Sequence, residues 1–274
     1  MLGLAAAVAW GAGDFGGGLA SRRAPVFGVV LVSQATGMLL SGAGAVALGE
    51  SVPGPTDILV CFVAGILGAF GITMLYQGLS VGRMGIVAPV TGVLAAVIPV
   101  IAGFLTEGVP HPIVLIGIVI AVVAVVLVSR VAGETGGRSG LREALIAGTA
   151  IGFFGVAIAQ LSEGNVLSAL TLIRLFQGVL VVVAVVVTRA VWRPTGSILP
   201  ALVVIGVLDT LGNAFYLTAV QTGQLAIASV LSAMYPVMTI ILAAIVLREP
   251  ITRGHSVGIV LAAIAIALIG AGAS

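Results

Sequence analysis

The stretch Gly65-Ile-Leu-Gly-Ala-Phe-Gly71, followed by Tyr76 and Ile86-Val-Ala88, has a counterpart about 140 residues later in the chain. The counterpart is Gly206-Val-Leu-Asp-Thr-Leu-Gly212, followed by Tyr216 and Ala226-Ile-Ala228. Each copy lies within a set of five hydrophobic segments. Because five is odd, the second set must enter a bilayer upside down relative to the first, which is the pattern of an inverted repeat.

The composition indicates a membrane protein. Hydrophobic residues make up 60% of the chain and charged residues 7%, whereas about a quarter of the residues of a soluble domain are charged. A spanning helix needs about 20 apolar residues, so ten of them use about 200 residues of the chain. We therefore predict an all-α integral membrane protein with ten transmembrane helices, arranged as two inverted five-helix repeats around a central cavity. The predicted domains are a first repeat at 1–131, a polar connecting loop at 132–143 and a second repeat at 144–274.

The predicted spans are bounded by glycine and proline residues, which interrupt helices. They are 2–20, 26–48, 58–78, 85–105, 113–131, 144–162, 166–188, 198–218, 225–247 and 255–272. Serine is the only polar side chain from Ile113 to Ser129 and from Ser256 to Gly272. We therefore expect spans five and ten to lie at the periphery and the other eight to surround the pathway.

The arginine residues are distributed unequally between the two sides of the predicted membrane. Ten lie in or beside loops on the side of loops 1–2, 3–4, 5–6, 7–8 and 9–10, and none lies on the other side: Arg22, Arg23, Arg83, Arg130, Arg138, Arg142, Arg189, Arg193, Arg248 and Arg253. Because cytoplasmic loops carry the excess of basic residues, this bias predicts that both termini are outside.

Several other classes of function lack the residues they require. His111 and His255 stand alone near loops, so no metal site is predicted, and no cofactor motif is present. The match to G-x-G-x-x-G at residues 11–16 lies inside a predicted span with no preceding strand, which argues against a dinucleotide site. The basic isoelectric point follows from the membrane topology, so no nucleic-acid partner is expected. No set of catalytic side chains lies at one depth, and we expect no enzyme.

Three ionisable residues lie well inside predicted spans, namely Asp14, Arg174 and Asp209. Charges inside a membrane cost about 2.5–3.5 kcal/mol each on insertion scales and mark candidate functional sites. At a rise of about 1.5 Å per residue, Arg174 and Asp14 differ in depth by about 9 Å, and Arg174 and Asp209 by less. We therefore predict an Arg174–Asp209 ion pair and an unpaired Asp14, although such a pair can also be purely structural and Asp14 can also join helices through hydrogen bonds.

Polar and aromatic side chains extend this set along helix faces. Asp209, Asn213 and Tyr216 follow one another at helical spacing, and Arg174 and Gln177 do the same on span seven. Tyr76 and Gln34 come from the first repeat, and each tyrosine can serve either packing or the lining of a cavity. The predicted substrate-binding or coupling residues are Trp10, Asp14, Gln34, Tyr76, Arg174, Asp209, Asn213 and Tyr216.

Several short motifs resemble the EamA-like family of the drug/metabolite transporter superfamily over nearly the whole chain. They are Trp10-Gly-Ala-Gly-Asp14-Phe15, Ser33-Gln34 with Gly37, Ala88-Pro89-Val90, Leu231-Ser-Ala-Met-Tyr-Pro-Val237, Leu247-Arg-Glu249-Pro250 and Gly258. The resemblance implies two inverted five-helix repeats around a cavity, with helices five and ten outlying. The chain departs from the family at Thr106-Glu107-Gly108, where the pattern is Gly-Glu-Arg, and in its arginine bias, since relatives usually keep both termini in the cytoplasm.

Together these observations predict a secondary transporter, a multi-pass protein of the cell (inner) membrane that acts as a monomer. Its substrate would be a small polar metabolite such as an amino acid, exported by alternating access. Arg174 would hold a substrate carboxylate or lock the empty site, and Asp14 would take a proton or pair with an amine. The expected partners are thus a small molecule, the lipid bilayer and protons. The alternatives are a channel for small solutes and a membrane-embedded lipid-modifying enzyme.

Overall fold

The structure, a computed structural model, describes residues 2–107, 111–134, 139–221, 232, 235–248 and 253–272. Ten α-helices lie in these residues, with no strand among them. They are α1 (Leu2–Ser21), α2 (Val26–Leu48), α3 (Pro55–Val81), α4 (Met84–Glu107), α5 (Pro112–Glu134), α6 (Leu141–Ile158), α7 (Val166–Thr188), α8 (Leu199–Gln221), α9 (Tyr235–Val246) and α10 (Arg253–Gly272). The first ten residues of the predicted span 225–247 lie outside this part of the chain, apart from Ser232.

Five helical segments in the described residues are long and apolar enough to cross a bilayer: Val26–Leu48, Pro55–Val81, Leu141–Ile158, Val166–Thr188 and Gly196–Ala219. Shorter apolar stretches occupy α4, α5, α9 and α10. Helix α1 belongs to neither group, because its glycines and Asp14 reduce its hydropathy. The fold is therefore an all-helical membrane protein, and ten crossings remain a prediction.

Helix ends follow the local sequence. Gly49 ends α2 in the left-handed conformation, with φ of 67°, and its N–H bonds to the carbonyls of the last turn. Pro55 opens α3 at a position where a missing N–H costs nothing. These two residues set the short connection that turns the chain from α2 back into α3.

The packing partners of the two halves correspond to one another. Helix α1 packs against α8 and α3 against α6, while α3 packs against α7 and α2 against α8. Similarly, α4 packs against α6 and α1 against α9, whereas α2 packs on α7 and α5 on α10. Exchanging each helix with the one five places along the chain converts the first six of these contacts into one another in pairs and leaves the last two unchanged. An internal two-fold relation between the halves produces this pattern.

The repeated glycines lie at equivalent helix crossings. A Cβ added at Gly65 would come within 3.5 Å of the α7 backbone at Ile173, and one added at Gly206 would come within 2.7 Å of the α2 backbone at Ser33. Gly71 likewise faces Ile151 of α6, and Gly212 faces Trp10 of α1. The recurring sequence therefore encodes the same close contacts twice, once in each half.

Contacts along the helices also give their directions. From Gly13 to Gly16 on α1, the facing residues on α8 run backwards from Leu208 to Ile205, so these helices are antiparallel. On α6 and α4, Gly148 faces Leu94 and Gly152 faces Ile98, so that pair is parallel. Both directions agree with a chain that reverses at every loop.

The loops form two ends of different charge. At one end the Arg22 guanidinium donates to the carbonyls of Leu79 and Gly82, and Gly28 lies against the Trp192 carbonyl. At the other end Glu50 accepts the N–H groups of Leu167 and Ser168 at 3.2 and 2.8 Å.

Two further side chains bridge the loops at this second end. Asp57 accepts from the N–H and hydroxyl of Ser162 at 3.1 and 3.2 Å, and Asn165 accepts from those of Ser51 at 3.0 and 3.2 Å. Arginine-bearing loops 1–2, 3–4 and 7–8 therefore lie at the end opposite the acidic residues Glu50 and Asp57. Helices α5 and α10 have each other and α4 as their main neighbours, in agreement with their predicted peripheral position.

Candidate functional site

Arg174 is buried near the middle of α7, with 5% of its side chain exposed. Its Nη1 lies 2.5 Å from Oδ2 of Asp209 on α8, which confirms the predicted ion pair. The same nitrogen donates to Oε1 of Gln34 at 2.6 Å and reaches Oε1 of Gln177 at 3.5 Å. A buried guanidinium with three acceptors joins α2, α7 and α8.

Gln34 is held in one orientation by this contact. A guanidinium only donates hydrogen bonds, so the amide oxygen of Gln34 must face Arg174 and its Nε2 must point away. Nε2 is buried and has no hydrogen-bond partner among the described residues, although Gln34 is only 1% exposed. Gln34 is the ninth residue of α2 and Arg174 the ninth of α7, so the bond joins equivalent positions of the two halves.

Glycines on the neighbouring helices leave room for the long polar side chains. A Cβ at Gly37 of α2 would lie 3.2 Å from Nε of Arg174 and 2.6 Å from Oγ1 of Thr210. A Cβ at Gly68 of α3 would overlap Nε2 of Gln177. Asp209 aligns with Gly68 in the sequence repeat. At this position the second half therefore supplies a carboxylate, whereas the first half supplies the space that the amide of Gln177 occupies.

Asp209 also receives a hydrogen bond from its own helix. Nδ2 of Asn213 donates to the Asp209 carbonyl at 2.8 Å and to Oδ1 at 3.3 Å. The predicted polar stripe on α8 is thus present, and Tyr216 continues it by one turn. The Asp209 side chain is 16% exposed, more than Arg174, so the pair is accessible from the carboxylate side.

Asp14 lies on α1 beside this pair but is not bonded to it. A Cβ at the neighbouring Gly13 would lie 3.7 Å from the backbone nitrogen of Asp209, which places Asp14 next to the same turn of α8. Asp14 is 9% exposed and forms no ion pair within the described part of the chain. Its carboxyl group is close enough to Asp209, Tyr76 and Tyr235 to interact with them electrostatically.

Tyr76 packs beneath these charges. Its ring lies against Gly17 of α1, where any side chain would overlap it, and only 1% of the residue is exposed. Its phenol interacts electrostatically with Asp209, Asp14 and Arg174. Of the two roles left open by the sequence, burial favours packing for Tyr76, with its polar end facing the charged cluster.

Trp10 and Tyr216 form an aromatic group with Tyr235 of α9. The ring centroids of Trp10 and Tyr216 are 5.5 Å apart at 44°, and those of Trp10 and Tyr235 are 6.3 Å apart at 82°. Sequence reasoning did not select Tyr235, although its motif at 231–237 was visible. The signal that identifies it is structural, because its buried hydroxyl has no hydrogen-bond partner among the described residues.

The eight predicted residues therefore fall into one connected region. Gln34, Arg174, Asp209 and Asn213 share hydrogen bonds, Trp10 and Tyr216 share ring contacts, and Asp14 and Tyr76 adjoin the charges. Within the residues described, no group of three His, Cys, Asp or Glu side chains is arranged to hold a metal ion. Cys61 on α3 is buried and forms no disulfide, and its thiol donates to the carbonyl of Ala169 at 3.6 Å.

Comparisons with known proteins agree on the class of fold. The model of the EamA-like transporter family matches residues 1–130 and 138–271. No curated protein matches the chain. One solved structure, described only as the crystal structure of a protein, superposes with a TM-score of 0.68 at 17% identity and covers 98% of this chain and 95% of its own. At that identity the likeness shows the fold alone.

Proposed function

The chain belongs to the EamA-like transporter family, and on this premise we propose that it is a secondary transporter that exports a small polar metabolite, such as an amino acid or a related compound, by alternating access. The family consists of membrane transporters and its model covers almost the whole chain, so a multi-pass transporter is the class to which the protein belongs. The substrate, the direction and the coupling are the parts that we propose.

The observation that carries the proposal is the Arg174–Asp209 pair with Gln34 inside an apolar helical bundle. Ionisable side chains are rare in the hydrocarbon region and, when present, usually face a pathway or a binding site. Arg174 and Gln34 occupy equivalent positions of the two halves, and transporters with inverted repeats bind substrate where the repeats meet.

The exchange of packing partners between the halves supports two inverted repeats, which we assign to residues 1–131 and 144–274 with a polar loop at 132–143. Inverted repeats let one half rock against the other about a fixed site, so that each side of the membrane gains access in turn. The contacts of Glu50, Asp57 and Asn165 join the two repeats at one end, and those of Gly28 with Trp192 join them at the other.

Each charged residue has a defined task in this scheme. Arg174 either binds a carboxylate of the cargo in place of Asp209 or, when the site is empty, locks α7 to α8 through Asp209. Gln34 and Asn213 hold these two side chains in position. Asp14 contributes a negative charge that is neutralised by a proton, which would couple export to a pH gradient, or by an amine of the cargo.

Counterflow in proteoliposomes tests the proposal. Vesicles that contain the purified protein are loaded with a pool of amino acids and amines, and labelled members of the pool are added outside one at a time. Accumulation that exceeds the level in protein-free vesicles and depends on internal unlabelled solute supports a transporter. Equilibration that internal solute does not stimulate would indicate a channel, and chemical conversion of a lipid or solute would indicate an enzyme.

Orientation is a separate prediction that follows from the arginine bias. In a Cys61→Ala background, Gly196→Cys should be protected from an impermeant thiol reagent in intact cells, while Gly54→Cys should be labelled. The two positions are matched, because Gly54 directly precedes α3 and Gly196 lies in the turn that directly precedes α8, and neither has another group within 4 Å of an added Cβ. The reverse pattern would place the arginine-rich end outside and overturn the predicted orientation.

A further inference from the structure

The Trp10 ring contacts the rings of both Tyr216 and Tyr235, and neither contact is a flat stack. Trp10 stands nearly perpendicular to Tyr235 and at 44° to Tyr216. Trp10 and Tyr216 are only partly buried, so the group is not sealed on all sides. In a tilted or edge-to-face contact at least one ring keeps an electron-rich face that is not covered by the other ring, and such faces are what proteins use to bind quaternary ammonium groups.

The Asp14 carboxylate, which has no basic partner among the described residues, lies near the rings. Asp14 follows Trp10 by four residues, so both project from the same face of α1. Arg174 and Asp209 neutralise each other, so an ionised Asp14 would give this group of buried side chains a net charge of −1. A ligand with one positive charge would restore neutrality.

The hydroxyl of Tyr235 is a second polar group near the rings. It is buried, has no partner among the described residues and lies close enough to Asp14 to interact with it. Gly92 on α4 faces it, and a Cβ added there would lie 3.5 Å from the hydroxyl and 2.6 Å from the Pro236 ring, so the glycine lets α4 approach Tyr235 closely. An unpaired buried hydroxyl is costly unless a ligand or water satisfies it.

We propose that Trp10, Tyr216, Tyr235 and Asp14 form a binding site for the ammonium group of a small organic cation. The rings surround the cationic head, Asp14 supplies the opposite charge, and the Tyr235 hydroxyl faces the polar substituent. A ligand carboxylate next to the ammonium group is disfavoured because Asp14 and Asp209 would repel it. Of the two roles proposed for Arg174, this inference therefore selects the lock with Asp209. This inference rests on the proposed function, since it names the cargo of the same transporter as a molecule with a net positive charge.

Fluorescence provides a direct test, because the chain has only two tryptophans. In a Trp192→Phe variant, Trp10 is the single tryptophan reporter at the site. Tetramethylammonium should change its emission in a saturable manner. Uncharged tert-butanol, which has nearly the same shape, should not, and glycine betaine, which carries the same head with a carboxylate, should bind at least about tenfold more weakly.

Variants identify which groups form the site. In the same background, Asp14→Asn should raise the Kd for tetramethylammonium about 30-fold or more, because it removes a desolvated charge. Tyr216→Leu should raise it about 3- to 30-fold through the loss of one ring face. Asp57→Asn is the matched control, since Asp57 binds Ser162 at the end of the bundle, and it should leave the Kd unchanged.

The inference is overturned if tetramethylammonium leaves Trp10 emission unchanged at millimolar concentration, or if tert-butanol or glycine betaine binds as tightly. Retained affinity in Asp14→Asn, with a cooperative melting transition as evidence of folding, would also overturn it. Failure here is distinguishable from failure of the proposed function. Counterflow of a zwitterion would then show a transporter with a different cargo, whereas the absence of any counterflow would contradict the transport proposal itself.

Discussion

Replacing Arg174 with alanine should destabilise the protein by about 3–5 kcal/mol, because Asp209 is left as a charge without its counter-ion in an apolar bundle. Asp209→Ala should have a similar effect, since Arg174 is 5% exposed and would keep only the amide oxygens of Gln34 and Gln177. The double variant removes both charges and should recover part of the loss. Thermal or chemical unfolding in detergent of the wild type, the two single variants and the double variant gives the four stabilities that this double-mutant cycle compares.

A matched control separates the pair from the general effect of losing an arginine. Arg193 lies exposed in the loop between α7 and α8, against the ring of Trp192 at 5.6 Å. Arg193→Ala should therefore change stability by no more than about 0.5 kcal/mol. If the losses of stability in Arg174→Ala and Asp209→Ala simply add in the double variant, the two side chains do not compensate each other's charge, and the ion-pair hypothesis is wrong.

The ion pair was predictable because charged residues in apolar segments are few. With only Asp14, Arg174 and Asp209 well inside the predicted spans, their relative depth was enough to select Asp209 as the partner of Arg174. The absence of an ion-pair partner for Asp14 in the described residues follows from the same reasoning. Periodicity placed Asn213 and Tyr216 on the face of Asp209, as observed.

Tyr235 could not be identified in this way. An aromatic residue within an apolar run has the same local pattern whether it packs in the core or lines a site. The distinction depends on neighbours from other helices, here Trp10 on α1 and Gly92 on α4. The unpartnered amide of Gln34 is a similar case, because its direction is set by a guanidinium that lies 140 residues away in the sequence.

The repeated glycines show a further limit of sequence reasoning. Their recurrence predicted two related halves, but a glycine in a helix can serve flexibility, close packing or neither. The structure distinguishes these roles, because an added Cβ at Gly65 or Gly206 would collide with α7 or α2, whereas one at Gly178 would meet nothing within 4 Å. Only the first two are required for a helix crossing.

Gly206→Val should accordingly destabilise the protein by about 1–3 kcal/mol or more through overpacking. The new side chain would be forced against the carbonyl of Ser33 at 2.7 Å and Cβ of Thr36 at 2.8 Å, and backbone atoms cannot move aside as a flexible side chain can. Ser33 precedes Gln34, so α2 must shift at the residue that binds Arg174, and counterflow should fall together with stability. Gly178→Val makes the same change in helix propensity, but its side chain would meet open space. Its stability should change by no more than about 0.5 kcal/mol, and its counterflow by no more than the assay error. Equal stability of the two variants would show that the α2–α8 crossing does not depend on a glycine and would contradict the packing role assigned to the repeated motif.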